Sequence, residues 1–110
     1  MTSPPHAMSD TIENALIKPS HFVVSRVISA QALILDTAHD EIRQLNEVGT
    51  FIWSMVLKSQ YTFDDILSAV MKQFETSDQI ARQDLNEFLN ELYTAKLICF
   101  ENLQAERSQV

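Results

Sequence analysis

A change of hydrophobic period over one short junction constrains this chain more than any other feature. Leu45-Asn46-Glu47-Val48-Gly49-Thr50-Phe51-Ile52-Trp53 joins an alternating run to a helical one. Before the junction, Ala32-Leu33-Ile34-Leu35-Asp36 and Glu41-Ile42-Arg43-Gln44-Leu45 read as two short strands around a polar hairpin turn at residues 37–40. After it, Val48, Phe51, Ile52, Met55 and Val56 recur with the spacing of one buried helical stripe. Asn46 between them offers a side-chain acceptor to the N–H groups that a helix start leaves unpaired. Strands first and helices after, in a chain of 110 residues, predict one α+β domain.

The same reasoning extends to both sides. Residues 22–28, Phe-Val-Val-Ser-Arg-Val-Ile, are rich in β-branched side chains and predict a strand, with Ser29-Ala30 as a turn. A second helix is expected after Thr62, with Asp65 completing a capping box and Phe63, Ile66, Leu67, Val70, Met71 and Phe74 as its stripe. A third begins at Ser77 or Asp78 and carries Ala81, Leu85, Phe88, Leu89 and Leu92. Leu97-Ile98-Cys99-Phe100 suits a last strand. Residues 11–17 suit one helical turn, stopped by Pro19. The expected division is a flexible arm over 1–19, a domain over 20–101 and a polar tail over 102–110. Gly49, the only glycine, falls inside the first helix, where it costs about 1 kcal/mol relative to alanine. Close approach of another element is its expected reason.

Charge and cysteine content exclude several functions. A net charge of -7 and a pI near 4.7 disfavour a phosphate backbone or an anionic membrane as partner. Cys99 is the only cysteine, so no intrachain disulfide can form, and a cytoplasmic chain with a buried, inert thiol is expected. The first residues lack the basic and apolar regions of a signal peptide, and no apolar run approaches the ~20 residues of a membrane span. A small sheet followed by three helices is the general shape of a winged helix-turn-helix domain. In DNA readers of that shape the third helix presents a basic or amide-rich face. Here that helix carries Asp78, Asp84, Glu87 and Glu91 against Arg82. His39 lies among Asp36, Asp40 and Glu41, which reads as a polar hairpin tip rather than a metal site. His6 and His21 have no spaced partners, and one glycine cannot build a phosphate loop. Trp53, Met55 and Met71 read as core. No catalytic residue, metal ligand or cofactor is expected, and an enzyme is the weakest reading.

Leu33-Ile34-Leu35-Asp36, Leu45-Asn46-Glu47-Val48-Gly49 with Ile52-Trp53, then Asp84-Leu85, Phe88-Leu89, Leu92 and Leu97-Ile98 resemble the PqqD family over residues 22–100. These are small recognition elements in the maturation of ribosomally made peptides. The resemblance implies a three-stranded antiparallel sheet followed by three α-helices, and a role without catalysis. It implies capture of the leader segment of a precursor peptide as a strand added along the third strand, over a groove bounded by the third helix. The leader would be presented to a modifying enzyme, a radical SAM enzyme or a peptidase. The peptide-binding residues expected are Glu41, Ile42, Arg43, Gln44 and Leu45 on the strand, and Ala81, Asp84, Phe88 and Glu91 on one flank of the helix. The other flank carries Arg82, Asn86 and Tyr93. A basic leader residue would suit Asp84 or Glu91, and an acidic one Arg43. An edge strand supports this independently, because its unpaired backbone groups accept another strand.

The sequence also departs from the family pattern. Asp40 and Lys96 stand where glycines are usual, Lys58-Ser59-Gln60 replaces a glycine-rich turn, and Ile42 and Arg43 replace common aromatics. The competing readings are a winged-helix DNA-binding regulator, which should bind DNA in a salt-dependent way, and a dimerisation module paired through its edge strand. A monomer or weak homodimer is expected.

Overall fold

The computed structural model describes residues 15–21 and 23–102. Residues 1–14 of the expected arm, Phe22, and residues 103–110 of the expected tail lie outside the described residues.

Alternation produces the first sheet. Strands β2 (Val23–Ile28), β3 (Gln31–Asp36) and β4 (Glu41–Gln44) pair antiparallel in the order β2-β3-β4. In β3 the side chains of Ala32, Ile34 and Asp36 are buried while Leu33 and Leu35 are half-buried, so one face of the sheet meets the core. The β2–β3 turn holds Ser29 and Ala30 at φ 54° and 66°, the left-handed geometry that suits a tight hairpin.

Three capped helices follow: α1 (Glu47–Val56), α2 (Phe63–Phe74) and α3 (Asp78–Thr94). Each expected cap is formed. The Gly49 N–H donates to Asn46 Oδ1 at 2.8 Å. Thr62 and Asp65 complete a reciprocal capping box, and the Ile80 N–H donates to Ser77 Oγ. Thr50 ties α1 to the sheet, its Oγ1 accepting from the Ala32 N–H at 2.9 Å. The core joins Ile34 and Ala32 from the sheet to Ile52, Trp53 and Val56, Ile66 and Val70, and Leu85, Leu89 and Leu92. The buried stripe of α1 is rotated from the expected one. Gly49, Ile52, Trp53 and Val56 face inward, while Val48, Phe51 and Met55 are only partly buried.

The sequence reading missed a second sheet. Ala15–Pro19 is a strand, β1, not the end of a helical turn or of a flexible arm. It pairs antiparallel with β5 (Ile98–Asn102), so the fold is α+β with two antiparallel sheets rather than one. Ala15 and Ile17 alternate into the core and are fully buried. On its other side, the Ile17 N–H donates to the Tyr61 carbonyl at 3.0 Å and Leu16 bridges Thr62. A run too short for a stable isolated helix gains more by burying two apolar side chains between β5 and α2. Cys99, expected in the core, is exposed on β5, while its neighbour Ile98 is buried. Alternation along β5 sends these two side chains to opposite faces.

Candidate functional site: an open strand edge and an acidic cleft

Among the described residues, strand β4 has a neighbour on one side only. Its phase follows from one hydrogen bond: the Leu45 N–H donates to the Ala32 carbonyl at 2.9 Å. In an antiparallel ladder the groups facing the partner strand belong to alternate residues. Glu41, Arg43 and Leu45 therefore turn their backbone toward β3, and Ile42 and Gln44 turn theirs off the open edge. Side chains alternate as well. Glu41, Arg43 and Leu45 share the face of buried Ile34 and Asp36, whereas Ile42 and Gln44 share the outward face with Leu35 and Leu33.

The five expected strand residues thus divide by job. Ile42 and Gln44 carry the available backbone. Ile42 is two-thirds exposed, and Gln44 Nε2 donates across the sheet to Gln31 Oε1 at 2.9 Å. Leu45 is a core residue. Arg43 is the side chain left on the groove side with unused capacity. Its Nε is buried without a hydrogen-bond partner, and its Nη2 lies 4.0 Å from Glu41 Oε1, too long for a hydrogen bond. A buried donor left unmet is costly, so it favours an incoming acceptor.

Beyond the end of β4 the chain runs into a cleft of about 600 Å³ between the start of α1 and one flank of α3. Val48, Ile52 and Phe88 give it apolar walls, and Asp84, Glu87 and Glu91 line it with carboxylates. Of the expected helix residues, Asp84, Phe88 and Glu91 come together here, whereas Ala81 is buried in the core, on the inward side of α3. The opposite flank is engaged with itself: Arg82 donates to both carboxylate oxygens of Asp78 at 3.2 Å. Sequence reasoning missed Asn46, Val48, Ile52 and Glu87 as cleft residues. Glu87 was legible, since it falls one helical turn from both Asp84 and Glu91.

Gly49 sits where α1 meets the cleft. A Cβ there would lie 3.2 Å from Asn46 Oδ1, 3.3 Å from Leu45 Cβ and 3.4 Å from Phe88 Cε1. The tightest neighbour is thus the helix's own cap, then Leu45 just past β4, with α3 third. At the hairpin, Asp36 is buried, and His39 turns onto it, with Nδ1 donating to Asp36 Oδ2 across 2.7 Å. Burial opposes the Asp36 charge, but hydrogen bonds from the His39 ring and backbone, aided by Ala38, outweigh it and hold the carboxyl below its ordinary range. Its contribution to stability is present above the ordinary carboxylate pKa and is lost as pH falls through the lowered value. His39 therefore serves the turn. Among the described residues no group of three or more His, Cys, Asp or Glu is arranged to hold a metal.

An antiparallel sheet whose β4 edge is open among the described residues, with a cleft between α1 and α3 past the end of that strand, defines the class: a small α+β domain of antiparallel sheet and packed helices. The chain belongs to the family described as Coenzyme PQQ synthesis protein D (PqqD), whose family model matches residues 31–98. A solved structure described as TbiB1 in complex with the TbiA(beta) leader peptide superposes with a TM-score of 0.68 at 26% identity, covering 74% of this chain and 93% of that one. No curated protein sequence matches the chain.

Proposed function

We propose that this protein is a non-catalytic peptide chaperone. It binds the leader segment of a ribosomally made precursor peptide by strand addition and presents it to a modifying enzyme. The observation that carries the reading is the open edge of β4 beside the cleft of α3, in a PqqD-family chain whose fold matches a leader-bound relative. The leader would take its main-chain hydrogen bonds from Ile42 and Gln44. Glu41, Arg43, Asp84, Phe88 and Glu91 would read its side chains. A radical SAM enzyme or a peptidase is the kind of partner that would act on the presented peptide, in the cytoplasm. Among the described residues, no helix is long and apolar enough to cross a membrane.

An amide NMR titration with synthetic leader segments tests this. The expected result is hydrogen-bond-type shifts at Ile42 and Gln44, with smaller changes along the Asp84–Glu91 flank. Methylating alternate peptide nitrogens should abolish binding in one phase and spare it in the other, because only alternate peptide amides face β4. Failure of every candidate leader to move Ile42 and Gln44 would sink the proposal. A second reading, self-association, draws on β2, whose Val24, Val27 and Ile28 are exposed on the opposite edge strand. Sedimentation velocity over a concentration series decides it. DNA binding is disfavoured by the four carboxylates of α3 against one Arg82 that is already paired.

A further inference from the structure

The groove is electrically polarised along the strand direction. Arg43 is a half-buried cation with an unmet donor, on the groove face of β4. Past the strand's end, Asp84, Glu87 and Glu91 line the cleft, and none of the three has a basic partner among the described residues. The Gln83 amide donates to Glu87 at 3.5 Å. A chain of net charge -7 thus sets a cation that Glu41 only loosely pairs, its Nε unmet, at one end of a track and three carboxylates without a basic partner among the described residues at the other.

From this order we infer that the protein reads charge order in its ligand: the captured segment carries a long cationic side chain two residues before an acidic one. The inference rests on strand capture at β4 and specifies the peptide class that capture selects. The sheet is wholly antiparallel, so an added strand is expected to run antiparallel to β4. Its N-terminal side then lies toward Leu45 and Asn46. The backbone of Arg43 faces β3, so the ligand residue opposite Arg43 sits in a non-hydrogen-bonded pair, where side chains approach most closely. An acidic side chain there supplies the acceptor that Arg43 Nε lacks. The ligand residue two positions earlier lies opposite Leu45, on the same face and at the mouth of the cleft. A Lys or Arg there lays its methylenes on Val48, Ile52 and Phe88 and carries its charge to Asp84, Glu87 and Glu91. Glu41, further along the same face, repels an acidic side chain beyond the Arg43 position and so reinforces the register.

The test uses three synthetic peptides on one Thr/Val background, with central Lys-Val-Asp, Asp-Val-Lys or Ala-Val-Ala. Affinity is read by fluorescence anisotropy, and strand addition by the Ile42 and Gln44 amide shifts. Lys-Val-Asp is expected to bind roughly tenfold more tightly than its reverse, since reversal replaces two attractive contacts by two repulsive ones. Arg43→Gln and Asp84→Asn, each checked for an intact amide spectrum, should each shrink that ratio, and added salt should shrink it further. Equal affinities, or preference for Asp-Val-Lys, with Ile42 and Gln44 still shifting, would overturn charge-order reading and leave strand capture standing. If none of the three peptides moves Ile42 and Gln44, strand capture at β4 falls, and this inference falls with it.

Discussion

Strands β1 and β4 each end a sheet and are similarly short, yet the chain treats them in opposite ways. β1 has β5 on one side and the Tyr61–Thr62 backbone on the other, and its Ala15 and Ile17 side chains are fully buried. Among the described residues β4 has only β3, its Ile42 is exposed, and its neighbouring Arg43 keeps a donor unmet. An edge strand is an association hazard unless it is covered or blunted. The protein covers one of these strands with its own loop and helix, and among the described residues nothing covers the other, the edge proposed above to take the peptide. Stability and binding should therefore be separable, the first resting on the β1 side and the second on the β4 side.

Substitution at Ile17 gives the largest expected effect. Ile17→Ala removes a fully buried side chain and should cost about 2–5 kcal/mol of stability, visible as a lower midpoint in chemical denaturation. The affinity of the folded fraction for a leader peptide should not change. If affinity falls along with stability, the two regions are coupled and the comparison fails. Ile42→Pro probes the other side. The N–H it deletes points off the open edge, so the fold should tolerate it, as edge strands tolerate proline. Peptide affinity should drop roughly thirtyfold, because one ladder bond is lost and the ring obstructs the incoming strand. Val27→Pro is the matched control, since alternation also turns the Val27 N–H off an edge, that of β2. It should leave peptide affinity unchanged, and an equal loss there would mean that β2 rather than β4 takes the ligand.

How much of this was legible follows the range of the interactions. Caps are local, and Asn46, Thr62 with Asp65, and Ser77 stand as the sequence reading has them. The three stripes and the hairpin strands are local too. β1 was not legible, because its partner β5 lies at the far end of the chain and Ala15–Pro19 has too few apolar positions to declare a period. Cys99 was misplaced for a related reason: inside a short apolar run, composition cannot tell which alternate residues face inward. Asp84 marks the helix flank that lines the cleft, where Phe88 and Glu91 join it, while Ala81 falls on the inward side of the same helix. Which strand residues offer backbone and which offer side chains depended on one hydrogen bond, Leu45 to Ala32, that no sequence pattern reveals.

The smallest expected effect is a gain, and it falls on the β1 side. The only glycine, Gly49, is helical and needs no left-handed geometry, whereas six other residues among those described adopt it: Ser29, Ala30, Asp40, Ser59, Glu75 and Lys96. Three of these, Asp40, Ser59 and Lys96, fall where the chain departs from glycines usual in its family. Lys96, at φ 64°, ends α3 with a double-bonded closure: its N–H donates to the Tyr93 carbonyl and the Leu97 N–H to the Leu92 carbonyl, both at 2.9 Å. The closure turns the chain into β5, which seals β1. A lysine Cβ is crowded in this conformation and a glycine is not, although glycine also frees the unfolded chain. The crowding term is the larger, so Lys96→Gly should stabilise by about 0.5–1 kcal/mol. Peptide affinity should remain as it was, because Lys96 lies at the C-terminal end of α3 and Asp84 to Glu91 carry the cleft. A denaturation midpoint that rises with affinity unchanged sharpens the separation between the closed and open strands. A midpoint that falls would mean that the lysine side chain contributes more at this closure than its backbone strain removes.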